Sequence, residues 1–276
     1  MKSQDKPQNS GIGLIGIPFD ENSSFRKGPA LAPARIREAY FSSSSNLWTE
    51  TGLNLENLDN MYDFGDIDFK NSKDAFQTIL KSVKDKINKN FHLICLGGDH
   101  SISFPIIKAH AAQYDHINIL HLDAHPDLYD SLDGNRLSHA CPFARIMEQK
   151  WNIRLVQAGI RTMTGHQRDQ AAKFGVEVME MKDMGSWPAR FEFQGPVYLS
   201  LDLDCLDPGF APGVSHHEPG GMTTRHVIDI IHKFKGRLIG ADIVEYNPER
   251  DIFSMTAMAA AKLLKEIIAR IHNDNF

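Results

Sequence analysis

The sequence predicts an α/β fold: a mostly parallel sheet with helices on both faces. Two observations predict it. Short apolar runs alternate along the chain with segments of helical periodicity, the rhythm of βαβ units. Polar, chemistry-bearing residues cluster directly after those runs, and open α/β sheets bind ligands at the carboxyl ends of their strands.

The elements follow in order. Residues 12–17 (IGLIGI) form an apolar run stopped by Pro18, a buried-strand signal. Gly28-Pro29 and Pro33 are read as shaping a loop, and the four serines at 42–45 as a second loop. Residues 73–89 read as a polar helix, and 91–96 (FHLICL) as a strand closed by Gly97-Gly98. Further strands are expected at 117–122, 153–158, 197–201 and 238–244. Helices are expected at 103–113, 140–149, 225–233 and 255–272. Neither a repeat nor a composition shift divides the chain. The expectation is one domain over 11–276 behind a flexible tail at 1–10.

Composition narrows the function. The 276 residues are 42% hydrophobic and 24% charged with a net charge of -5, ordinary for a globular protein and without the basic field of a nucleic-acid binder. No apolar run reaches the ~18–20 residues that span a bilayer. The polar N-terminus has no apolar signal-peptide core, so a cytosolic location is expected. Cys95, Cys141 and Cys205 are scattered and read as reduced, buried small hydrophobes rather than a disulfide framework or thiolate zinc site.

Four segments carry the chemistry: Gly97-Gly98-Asp99-His100-Ser101, Asp123-Ala124-His125-Pro126-Asp127, Asp202-Leu203-Asp204, and Glu245-Tyr246-Asn247-Pro248. In extended chain, residues i and i+2 face one side, so Asp123 aims with His125, and Asp202 with Asp204. Asp127 reaches a nearby point as the chain turns, and His100 arrives from a neighbouring strand end. A lone D-x-D is usually a solvated cap, but recurrence after successive strands favours a shared site. His100, Asp123, His125, Asp127, Asp202 and Asp204 suffice for two metal ions. Carboxylate-rich ligation with some imidazole favours Mn²⁺, with Zn²⁺, Co²⁺ and Fe²⁺ as alternatives. Four carboxylates against two divalent cations leave a near-neutral site that tolerates a cationic substrate, which Glu245 would attract.

At these residues the chain resembles the ureohydrolases: arginase, agmatinase and their relatives. G-G-D-H-S, D-A-H-P-D, S-H-A-x-x-F and D-x-D-x-x-D-P-x-x-A-P-G stand in the family's order, and the resemblance runs from about Ile12 to the end. DAHPDLYD, GNRLSHACPFARIME, DLDCLDPGFAPGVSHHEPGG and GADIVEYNPERD look most like plant-type arginases and their bacterial relatives. The resemblance implies a single three-layer α/β/α domain with about eight strands, as in arginases and deacetylases. It also implies two Mn²⁺ per chain, urea as a product, and a homotrimer or homohexamer. By motif, one ion takes His100, Asp123, Asp127 and Asp202, and the other Asp123, His125, Asp202 and Asp204. His139 matches the acid/base histidine and Glu245 the guanidinium-binding glutamate.

The implied substrate is a small cationic guanidino compound: L-arginine first, then agmatine, then guanidinobutyrate. Asn135, Ser138 and His217 are candidates for contacts to its tail, with His216 also near. Ala140 follows His139 as in plant-type arginases, where most agmatinases and animal arginases have Gly. His121 reads as a buried, hydrogen-bonded histidine, and Asp99, Asp207 and Asp242 as supporting carboxylates. Cys141 reads as a buried helix residue. Two other classes are weighed: a mononuclear zinc deacetylase and a non-catalytic metal-binding regulatory protein.

Overall fold

A computed structural model describes residues 10–70 and 72–276; the tail expected at 1–10 falls, but for Ser10, outside the described residues. Eight strands form one sheet: β1 (Gly11–Gly16), β2 (Met61–Asp66), β3 (Phe91–Leu96), β4 (Ile117–Leu122), β5 (Ile153–Ile160), β6 (Glu177–Glu180), β7 (Glu192–Asp202) and β8 (Lys235–Val244). Their order is β2-β1-β3-β8-β7-β4-β5-β6, and every neighbouring pair is parallel. The helices are α1 (Ala32–Tyr40), α2 (Ala75–Ile87), α3 (Ser103–Ala111), α4 (Pro142–Glu148), α5 (Gly165–Phe174), α6 (Thr224–Lys233) and α7 (Met255–Asn275). None of the described helices is long and apolar enough to cross a membrane.

Alternation within the strands divides the core in two. Ile94, Leu96, Leu120 and Leu199 join Ile36 of α1, Val227 of α6 and Leu264 of α7 on one face. Leu93, Cys95, Ile119 and Tyr198 join Val83 of α2, Ile106 of α3 and Phe143 of α4 on the other. All three cysteines are free and buried.

The six strands expected from apolar runs are all present, and they are the six interior strands. The two that the apolar pattern did not single out, β2 and β6, are the two edges. An edge strand is covered less completely, and MYDFGD and EVME carry acids where interior strands carry Ile and Leu. The loop expected around Pro33 is corrected: Pro29–Leu31 forms a short 3-10 turn and Pro33 lies in the first turn of α1. Proline fits there because that N–H has no intrahelical partner to lose.

The Gly97-Gly98 turn places the carboxyl end of β3. Gly97 N donates to Ile243 O (2.8 Å), Glu245 N donates to Gly98 O (3.0 Å), and Asp99 N donates to Phe19 O (2.9 Å). A Cβ on Gly98 would sit 1.7 Å from Phe19 O, a backbone atom that cannot swing aside. Gly98→Ala is expected to destabilise the fold by about 3 kcal/mol or more, as other overpacked sites do, read as a lowered denaturant midpoint. An unchanged midpoint would show that the β1 loop does not need this close approach.

Candidate active site

The site lies at the carboxyl ends of four adjacent strands, β3, β8, β7 and β4. His100 opens a short 3-10 turn after β3, capped by Asp99, whose Oδ1 accepts from Ser101 N (3.1 Å). Asp123 and His125 follow β4, Asp202 ends β7, Asp204 lies in the next turn, and Glu245 follows β8. Asp127 (φ 49°) and Glu245 (φ 62°) both adopt left-handed backbone, unusual for side chains other than glycine. From that backbone Asp127 Oδ2 lies 3.0 Å from His100 Nδ1, and Glu245 Oε1 2.9 Å from His139 Nδ1.

All six residues expected as metal ligands converge. His100 Nδ1 lies 3.2 Å from Asp123 Oδ2, 3.0 Å from Asp127 Oδ2 and 3.1 Å from Asp202 Oδ2. His125 Nδ1 lies 3.0 Å from Asp204 Oδ2 and 3.4 Å from Asp123 Oδ1. Asp123 therefore faces both groups, one oxygen to each. Burial pushes the Asp202 carboxyl well up and Asp127 to about 6. Burial also opposes ionisation of Asp123, but His121, His100 and His125 outweigh it and hold that carboxyl well below its usual range.

The donor set fits metal ions. His100 Nε2 lies 3.0 Å from Ser200 Oγ, and that hydroxyl spends its one proton on Asp242 Oδ1 (2.8 Å). Nε2 therefore carries a proton and donates to Ser200; in the neutral imidazole, the form that binds a metal, this leaves Nδ1 with the lone pair. Nδ1 is buried among three carboxylate oxygens yet makes no directed hydrogen bond. A cation shared with those oxygens satisfies it. Buried His/Asp groups able to hold a metal also include His121 with His100 and Asp123.

His139 and Glu245 stand beside these groups. Glu245 Oε1 accepts from His100 N (2.8 Å) and pairs with His139 Nδ1 (2.9 Å). His139 Nε2 lies 2.8 Å from Ser24 Oγ. Burial works against a charged His139, but Glu245 outweighs it and raises its pKa to about 9.

A cavity of about 200 Å³ opens over the centre. Asp127, Asp202, Asp204 and Glu245 form its floor, while the more exposed Ser24, Tyr129, Thr162 and Thr164 form a rim without formal charge. The residues expected to touch a substrate tail lie elsewhere. Asn135 is exposed and donates to Asn22 Oδ1 (3.1 Å), and Ser138 is buried beside Ala140 N. His217 is exposed and bonded to Pro212 O (2.8 Å), while its neighbour His216 lines the cavity. Sequence reasoning missed Ser24, Thr162 and Thr164. The threonines sit just past β5, where the strand-end rule could have found them; nothing in the local pattern distinguishes Ser24.

The arginase-family sequence profile matches residues 10–269. The chain belongs to the arginase family. It is 45% identical over 279 residues to "Arginase 1, mitochondrial" of Arabidopsis thaliana, covering 95% of this chain and 81% of that protein. It is 44% identical over 275 residues to "Arginase 1, mitochondrial" of Oryza sativa subsp. indica, covering 94% and 81%. Its structure is similar to the arginase from Medicago truncatula, with a TM-score of 0.89 and 41% identity over 95% of this chain and 88% of that one. The eight-stranded parallel sheet with helices on both sides is the arginase fold, and the chain is a ureohydrolase acting on guanidino compounds. The cytosolic expectation is corrected: these plant relatives are named mitochondrial. Organelle transit sequences are amphipathic rather than apolar, so the apolar-core criterion behind that expectation does not detect them.

The His139–Glu245 pair makes stability depend on pH. A histidine at about 6.5 when unfolded and about 9 when folded contributes stability that is full below pH ~6.5 and lost as pH rises through ~9. In metal-free protein, the stability difference between wild type and His139→Asn should shrink by up to about 3 kcal/mol across that window, measured by denaturation at stepped pH. A pH-independent difference would show that Glu245 does not hold His139 charged.

Proposed function

We propose that this enzyme hydrolyses L-arginine to L-ornithine and urea, with two Mn²⁺ held by His100, Asp123, Asp127, Asp202, His125 and Asp204. The observation that carries the reading is the placement of the His139–Glu245 pair beside two His/Asp groups joined through Asp123. The names of the plant relatives support the same activity. We also read residues 11–276 as one catalytic unit, since one sheet carries every residue of the site.

The carboxylate-rich donor set supports manganese, and bound divalent ions would supply Lewis acidity and lower the pKa of a water. The chain's own residues do the rest. A guanidinium stays protonated at neutral pH and is a poor electrophile. Glu245 Oε1 is occupied by His100 N and His139 Nδ1, which leaves Oε2 to accept from the guanidinium. That pairing holds the guanidinium carbon over the floor. Water, having given up a proton to solvent, adds at this carbon, and the carbon's bond to the arginine Nε breaks. The leaving amine takes a proton, which His139 is placed to donate from Nε2 once Ser24 releases it.

The rim supports arginine over agmatine. Beyond the guanidinium, agmatine carries a bare ammonium, whereas arginine carries a zwitterion. Ser24, Tyr129, Thr162 and Thr164 offer no carboxylate for an isolated ammonium but do offer hydroxyls for a paired amino and carboxyl group.

Urea release from Mn²⁺-loaded enzyme with L-arginine, agmatine and 4-guanidinobutyrate side by side tests the assignment. Arginine should give the highest kcat/KM; preference for either other compound would overturn the substrate reading but not the reaction. Asp202→Ala removes a carboxylate that faces His100 Nδ1. It should lower the manganese content below two per chain and turnover by about 10³-fold or more, in the range of lost catalytic groups. Retention of two ions and normal turnover would refute the ligand assignment.

A further inference from the structure

A row of buried polar side chains crosses the sheet one step beneath the metal centre. Gln157 of β5 pairs in register with His121 of β4, His121 with Ser200 of β7, and Ser200 with Asp242 of β8. All four are fully buried. His121, Ser200 and Asp242 stand two or three residues before Asp123, Asp202 and Glu245. The Ser200–Asp242 arm orients His100. The other arm ends on Asp123.

Its geometry is directional. Gln157 Nε2 lies 2.6 Å from Pro126 O and 3.0 Å from His121 Nδ1. Pro126 O can only accept, so the amide nitrogen must face it; the flipped amide would set two carbonyl oxygens against each other. The same nitrogen donates its second proton to His121 Nδ1, which therefore carries none. The imidazole proton resides on Nε2, 2.7 Å from Asp123 Oδ2. Phe143 stacks on the ring, with centroids 3.9 Å apart and planes 27° apart, and fixes its plane. Gln157 Oε1 is left buried without a partner, so the two bonds from Nε2 hold the amide in place.

We propose that Gln157 and His121 are a positioning pair: Gln157 fixes the His121 tautomer, and His121 donates to Asp123 to hold the carboxylate between the two metal positions. His121 is then not a ligand, although it lies within reach of one, because its metal-facing nitrogen bears the proton. This inference rests on the reading of Asp123 as a shared ligand.

Manganese titration of the metal-free full chain, followed by metal analysis and arginine kinetics, tests it. Gln157→Leu should weaken Mn²⁺ binding about 10–100-fold, the usual cost of losing a ligand's supporting partner. At saturating Mn²⁺ it should still hold two ions, with KM for arginine unchanged. His121→Gln places an amide N–H near the former Nε2 but offers no imidazole lone pair. It should keep two ions and bind them more tightly than His121→Ala does. Wild-type affinity in Gln157→Leu, or loss of one ion from His121→Gln at saturating Mn²⁺, would overturn the pairing. Wild-type protein that takes up no manganese would instead overturn the reading of Asp123, and this inference with it.

Discussion

Mutual repulsion among buried carboxylates is the constraint around which the site is organised. Asp123 and Asp204 present oxygens within 4.8 Å of each other, and Asp127 and Asp202 crowd the same nitrogen of His100. One pair of like charges at that distance costs about 3–4 kcal/mol at an effective dielectric of ~20. Several such pairs approach the ~5–15 kcal/mol by which a whole domain is stable. The fold withstands this by setting histidines and directed backbone donors against these carboxylates. His125 N donates to Asp123 (2.5 Å), Ala124 N to Asp204 (3.1 Å), and Asp204 N to Asp202 (2.7 Å). These backbone donors come from the turns that end the strands, so the turns that place the acids also stabilise their charge.

Those turns depend in their turn on the interior strands. β3, β8, β7 and β4 are buried on both faces, and helices pack on each side of them. Their carboxyl ends are therefore held at fixed spacing, and the left-handed residues Asp127 and Glu245 can be kept in uncommon backbone conformations. Glu245 then serves two masters through one oxygen, tying the main chain at His100 to the ring of His139.

Much of this was legible in the sequence, for a physical reason. Interior strands of a parallel sheet need apolar residues on both faces, and period-two spacing aims Asp123 with His125 at one point. Edge strands carry no such demand, which is why MYDFGD and EVME escaped notice. The supporting row was half legible: His121, Ser200 and Asp242 each interrupt an apolar run before a strand-end acid. Gln157 does so as well, but no acid follows it to draw attention. Rim residues were the least legible. Loops obey no period, so nothing in Gly-Val-Ser-His-His tells which histidine turns inward, and the answer is His216.

The split between floor and rim has a consequence for how such an enzyme can diverge. The floor is made of acids at strand ends that meet the reacting group, so a change there strikes the chemistry directly. The rim side chains come from segments after β1, β4 and β5, outside the hydrophobic core. Inherited variation can accumulate in those three loops while the floor stays as it is. A lineage can thus drift from one nitrogen-rich metabolite to another by a handful of surface substitutions, each intermediate still folded and still able to cleave the bond.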